Sequence, residues 1–205
     1  MHAPLALSSA LDEETARAEL YGVLGTLYYA PPGPELLASL RMAVTEAPAA
    51  GGYLEEPWRR LVGAARAMDD AAIREEYLQL FGGVGKPEVY LFASFYLSGF
   101  LNEKPLAALR GTLDRLGLAR AEGMPETEDH VAYLCEVMRY LIAGDDVAMA
   151  NLTTQRRFFG EHIQPWIGSL CDVLEPHPKA RFYAAVAGLT RAFASVESQG
   201  FDMLV

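Results

Sequence analysis

Glu126-Thr127-Glu128-Asp129-His130-Val131 sets an acid beside an imidazole where a loop turns into a helix. Such a pair can relay protons, grip a guanidinium group or peptide backbone, or cap the helix it opens. Adjacent residues cannot orient each other as triad members do, and no serine or cysteine stands in a recognisable nucleophile elbow. Capping is the plainest reading: Thr127 as N-cap, Glu128 and Asp129 in the first turn against the helix dipole, and His130 beginning the helix proper. Recognition of a cationic or peptide ligand stays open beside it. A base built on His130 with Asp129 nearby is the enzymatic rival, and a purely structural adaptor is the third reading.

The remaining reactive residues offer less. The histidines are His2, His130, His162 and His177, and neither a Glu-x-x-His pair nor His-Glu-x-x-His occurs. Glu161 and His162 are neighbours, so on a helix they point about 100° apart and share a metal poorly. Gly82-Gly83-Val84-Gly85-Lys86-Pro87 suggests an anion loop, but Leu80 stands where the first glycine belongs and Pro87 where the magnesium-binding hydroxyl belongs. A helix ending with Gly82 as a left-handed C-cap accounts for these glycines better. Cys135 and Cys171 lie far apart on apolar helix positions and read as buried free thiols. Tyr77, Phe81, Tyr90, Phe92, Phe95 and Tyr96 crowd around the glycine-rich turn, either as core or as the wall of a peptide groove.

The elements that must hold these residues are helical. Proline and glycine clusters at 31–34, 48–52, 82–87, 117–125, 144–146 and 176–178 cut the chain into helix-length pieces. Within them Ala16, Leu20, Leu24, Leu27 and Tyr28 share a stripe, as do Leu106, Leu109, Leu113 and Leu116. Val131, Leu134, Cys135, Met138, Leu141 and Ile142 repeat the spacing, and so do Phe182, Val186, Leu189, Phe193 and Val196. Only Val89 to Tyr96 carries strand-like residues; without a partner strand it is expected to be a buried helix or the irregular start of one. The expected fold is all-α, a compact helical bundle in a single domain over 1–205, with room for two lobes hinged near 119–127.

Composition narrows the partners. The chain of 205 residues has 51% hydrophobic and 21% charged residues, enough for a substantial core. A formal net charge of −10 repels a phosphate backbone and attracts basic peptides, so nucleic acid is not an expected partner. The start lacks a basic region ahead of its apolar patch, which argues against a secretory signal and for the cytoplasm. The longest apolar stretch, Val89 to Leu101, is broken by Ser94, Ser98 and Gly99 and falls short of the ~20 residues a spanning helix needs. No stable membrane insertion is expected.

In order along the chain stand Arg17-x-x-x-Tyr21 with a leucine-rich helix ending in Pro31-Pro32, then Glu76-Tyr77-x-x-Leu80-Phe81-Gly82, Ser94-x-Tyr96, Glu126-Thr127-Glu128-Asp129-His130, Phe158-Phe159-x-x-His162-x-x-Pro165-Trp166 and Phe182-Tyr183. Taken together, these motifs resemble the TorD/DmsD/NarJ family of redox-enzyme maturation chaperones. Thr127 replaces the proline of the family's Glu-Pro-x-Asp-His signature, while Pro125 stands two places earlier. The turn between Phe81 and Ser94 lacks the family's usual proline before the serine and has Pro87 instead. The resemblance implies an all-helical chaperone, not an enzyme. It would bind the twin-arginine leader and apo catalytic subunit of a molybdoenzyme, aid molybdopterin insertion and delay export until the client has folded. It also implies a peptide-binding surface drawn from Tyr77, Leu80, Phe81, Ser94, Tyr96, Asp129 and His130, with Arg17 and Tyr21 as weaker members. Asp129 would accept from an arginine of the leader. Weak guanine-nucleotide binding and a monomer or domain-swapped dimer are further family properties, and the motifs do not choose the client.

Overall fold

The computed structural model describes residues 13–45, 52–82, 86–121, 123–146 and 148–203. Among these are ten helices: α1 (Glu13–Tyr29), α2 (Pro34–Met42), α3 (Glu55–Ala67), α4 (Asp70–Phe81), α5 (Ala93–Ser98), α6 (Lys104–Arg115), α7 (Val131–Ala143), α8 (Leu152–His162), α9 (Gln164–Leu174) and α10 (Phe182–Asp202). The all-α expectation holds. The extended backbone is limited to one isolated antiparallel bridge, Phe92 with His130, among the described residues.

Local chemistry sets many of the boundaries. Asp69 accepts the Ala72 N–H and opens α4, Asn151 accepts the Thr154 N–H and opens α8, and prolines occupy the first turns of α2, α6 and α9. The apolar stripes then pair the helices. α1 lies along α7, α10 lies against α9 and α3, and α5 packs on α6 and α9. Gly25 lets α1 and α7 approach closely: a Cβ there would meet the Cys135 Cβ at 3.3 Å and the Ala132 carbonyl at 3.4 Å. Leu27, Tyr28, Met138, Leu141, Trp166, Leu170 and Tyr183 are among the fully enclosed core side chains. Both thiols, Cys135 and Cys171, are free and buried.

Two long-range ties close the bundle. The Glu76 carboxylate on α4 accepts the N–H groups of Arg181, Phe182 and Tyr183 at 2.9, 3.2 and 2.7 Å, so a buried side chain caps the 21-residue α10. Arg17 on α1 donates to both oxygens of Glu197 on α10 at 2.6 and 2.9 Å, and Tyr21 adds a third bond at 3.0 Å.

One local expectation changes. Gly82 does end α4, but at φ −102° rather than in the left-handed region. It is needed for space, because a Cβ there would stand 3.0 Å from the Leu78 carbonyl oxygen. Val89 to Tyr96 is the irregular start of a helix, the second of the two expected forms: it runs irregularly to Phe92 and then enters α5.

Candidate functional site

The acid and imidazole of the signature turn inward. Asp129 is 1% exposed; its Oδ2 accepts the Ser94 N–H at 2.9 Å, and its carbonyl accepts the Ala93 N–H at 3.0 Å. Its Oδ1 takes the Thr127 hydroxyl at 2.7 Å. A carboxylate from one loop therefore caps the first turn of another element, α5. His130 is the N-cap of α7, with Nδ1 accepting the Ala132 N–H at 3.2 Å. The expected cap is thus displaced: Thr127 does not open α7, and Glu128 and Asp129 precede it. The physical reason is competition, since the Thr127 hydroxyl is spent on Asp129 and the Asp129 carboxylate on the first turn of α5.

An Nδ1 that accepts a backbone N–H carries no proton, so the imidazole is the neutral Nε2–H tautomer. Burial pushes its pKa down to about 4, with the charge of Asp129 pulling the other way. A base so weak, with one nitrogen committed, is poorly suited to proton abstraction near neutral pH. The Phe92 and Tyr133 rings flank it at 5.0 and 6.1 Å.

The other sequence-derived candidates fall into two groups. Tyr77, Leu80 and Phe81 on α4 face the core: the Tyr77 hydroxyl donates to the Tyr28 and Tyr29 carbonyls at 3.2 and 2.9 Å, and Leu80 is fully buried. Phe81 is half-buried, edge-on to Tyr77 and Tyr183. Ser94 is fully buried with an unpartnered Oγ. Tyr96 stacks on Trp166 at 5.5 Å and donates to the Tyr90 carbonyl at 2.8 Å. Asp129, His130 and Ser94 are thus brought together. Arg17 and Tyr21 instead form the Glu197 tie, with Arg17 also 5.3 Å from the Phe201 ring centre.

An open cleft of about 470 Å³ lies where α5, α6 and α8 meet, with Asp129 at its edge. Leu97 and Leu109 give it apolar walls, while Arg115, Glu161 and His162 give it polar ones. Arg115 donates to the Thr112 hydroxyl at 2.9 Å, leaving that hydroxyl's proton for His162 Nε2, also at 2.9 Å. Burial lowers the His162 pKa, in keeping with a neutral ring. Leu97 in the cleft wall and Phe100 and Leu101 just after α5 are 42%, 70% and 40% exposed. The sequence reading passed over these three residues. Their signal was an apolar pair inside turn chemistry: Gly99 and Asn102 both take the left-handed conformation, at φ 82° and 61°. Among the described residues no group of three His, Cys, Asp or Glu is arranged to hold a metal ion.

Sequence comparisons find relatives of this chain. The sequence profile of the family described as nitrate reductase delta subunit matches residues 48–172. Chaperone protein TorD of Aliivibrio fischeri is 27% identical over 146 residues, which cover 66% of this chain and 68% of that protein. Chaperone protein TorD of Vibrio cholerae (strain M66-2) is 24% identical over 205 residues, covering 92% of this chain and 93% of its own. Chaperone protein YcdY of Escherichia coli is 26% identical over 169 residues, covering 82% and 86%. The profile spans more than half of the chain and the relatives are chaperones, not enzymes; the protein therefore belongs to the nitrate reductase delta subunit family, the TorD-like group of chaperones.

Proposed function

We propose that the protein is a cytoplasmic chaperone dedicated to one molybdoenzyme, binding the twin-arginine leader and the apo catalytic subunit. It would aid molybdopterin insertion and hold back export until the client is folded. The observation that carries this reading is the run of exposed apolar residues Leu97, Phe100 and Leu101, the first of which lines the cleft of about 470 Å³. Exposed large apolar side chains beside a concavity are the usual mark of a site for an apolar peptide. The net charge of −10 suits a partner that also carries arginines.

In this reading the signature works by positioning. Asp129 fastens the start of α5, the helix whose far end presents Leu97 and leads to Phe100 and Leu101. Ser94 and His130 belong to the same fastening. Tyr77, Leu80 and Phe81 pack in the core where α4 meets Tyr28 and Tyr183, Tyr96 stacks on Trp166, and Arg17 and Tyr21 hold α1 to α10. The whole chain acts as one folding unit, and the connection from α6 to α7 is the place where it can flex.

The test is fluorescence anisotropy with a peptide carrying two adjacent arginines ahead of an apolar run. Leu97→Asp and Phe100→Asp should each weaken binding at least about tenfold, a loss of roughly 1.4 kcal/mol, while leaving the far-UV spectrum and melting curve unchanged. Unchanged affinity in both variants defeats the reading. Affinity capture under native conditions should also return a molybdoenzyme catalytic subunit.

A further inference from the structure

A peptide that sinks apolar side chains into the cleft between α5, α6 and α8 also carries its own main chain out of water. Each residue brings an N–H that needs an acceptor and a C=O that needs a donor, and an unmet group costs as much as a lost hydrogen bond. Leu97 and Leu109 can receive the side chains. The polar residues of the same cleft have to receive the backbone, and two of them have capacity to spare.

Arg115 supplies donors. It gives one N–H to the Thr112 hydroxyl at 2.9 Å, and no carboxylate pairs with it among the described residues, so the rest of its fork is unspent. Its Nη1 lies 3.7 Å from where a Cβ of Gly111 would stand, so the guanidinium is laid back along α6 over a position without a side chain. Glu161 supplies an acceptor. Its Oε1 takes the Arg157 Nε–H at 3.0 Å, whereas its Oε2 stands 3.7 Å from His162 Nε2, too far for a hydrogen bond. Thr112 and His162, both buried and bonded to each other at 2.9 Å, link the two groups in one chain of contacts and hold their spacing. Asp129 at the cleft edge does not compete as an acceptor, because its side-chain oxygens hold the Ser94 N–H and the Thr127 hydroxyl.

Unspent donors and an unspent acceptor in one cleft with leucine walls match an uncharged group that both accepts and donates. A carboxylate ligand would satisfy Arg115 but be repelled by Glu161, and an ammonium would meet the reverse. We infer that Arg115 and Glu161 hold a main-chain amide of the bound client segment, Arg115 donating to its C=O and Glu161 accepting its N–H, while Leu97 and Leu109 take the neighbouring side chain. This rests on the leader-binding reading and adds the form in which the segment lies. It is locally extended, because the interior of a helical segment pairs its own N–H and C=O groups and has none to offer. Main-chain contacts give affinity without reading side-chain polarity, so apolar segments of different sequence fit the same seat.

The seat is tested by NMR titration of the intact protein with N-acetyl-leucine N-methylamide, with N-acetyl-leucine methyl ester, which lacks the second N–H, and with isovaleramide, which carries a primary carboxamide. The methylamide should shift the Arg115 Nε–H and Leu97 methyl signals with an affinity about fivefold above that of the ester, the worth of one net hydrogen bond. Glu161→Ala should erase that preference, and Arg115→Met should weaken both leucine probes, each without altering the melting curve. No shift at Arg115 and Leu97 up to the solubility of the probe, equal binding of the ester, or a preference that survives Glu161→Ala overturns the seat. Tighter binding of isovaleramide also overturns it, since the cleft would then take side-chain carboxamides. The arginine-bearing peptide separates the two ideas. If it binds while the methylamide leaves Arg115 and Leu97 unmoved, the seat fails and the chaperone reading stands; if only the methylamide binds, with the expected preference, the seat stands and the leader reading fails.

Discussion

Replacing Asp129 by alanine separates positioning from contact. The side chain is 1% exposed and accepts two hydrogen bonds, from the Ser94 N–H at 2.9 Å and the Thr127 hydroxyl at 2.7 Å. Bonds to a charged partner contribute about 1.5–3 kcal/mol each, and solvent screening is slight at such burial. Relaxation of the six-residue α5 recovers part of the loss, so Asp129→Ala should cost about 3 kcal/mol. Asp129→Asn retains an acceptor for Ser94, and the Thr127 hydroxyl can rotate to accept from the new amide. Its cost should be about 1 kcal/mol, the charge assistance alone. Urea unfolding followed by far-UV circular dichroism reads both numbers; with a slope of about 2 kcal/mol per molar, the alanine variant's midpoint falls by roughly 1.5 M. Hydrogen exchange at the Ser94 amide should quicken in the alanine variant. The argument is refuted if Asp129→Ala changes stability by less than about 0.5 kcal/mol while abolishing leader binding, since the carboxylate would then be touching the ligand.

Other outcomes follow from the same geometry. Glu76→Ala strips three N–H groups at the start of α10 of their acceptor and should destabilise by at least about 3 kcal/mol, measured by urea unfolding. His130, held neutral in the fold with a pKa of about 4 against an ordinary 6.5, contributes stability that is complete above pH 6.5 and is lost as pH falls toward 4. His130→Asn keeps a capping side chain and should remove about 3 kcal/mol of that acid-side loss, read from unfolding curves at pH 7 and pH 4. Leader affinity should weaken as added salt brings the Debye length below about 10 Å, and salt-independent anisotropy curves would leave only the apolar cleft in play.

Helices and their breaks were legible because they depend on neighbours. The stripe through Leu20, Leu24, Leu27 and Tyr28 became the buried face of α1, and Pro31 to Gly33 separate α1 from α2, which Pro34 opens. Partners distant in sequence were not legible. Nothing near Glu76 announces that it caps a helix starting 106 residues later. Thr127 has the composition of an N-cap, yet its hydroxyl is drawn to Asp129, and His130 takes the position by tertiary demand. The aromatic cluster had two readings. The hydroxyls of Tyr77 and Tyr96 bond to backbone carbonyls, so those two rings are structural, while the more open apolar surface lies at Phe100.

The tie between Arg17 and Glu197 also sets a clock. These residues are 180 positions apart, so at a synthesis rate of about 5–20 residues per second the guanidinium waits roughly 10–40 s for its carboxylate to be made. Only late in that interval, once α7 (Val131–Ala143) has been made, can α1 settle on it, and α1 still cannot be sealed to α10. The nascent protein therefore passes through a stage with the α10-facing side of α1 uncovered, and that stage is when it is itself most exposed to misassembly.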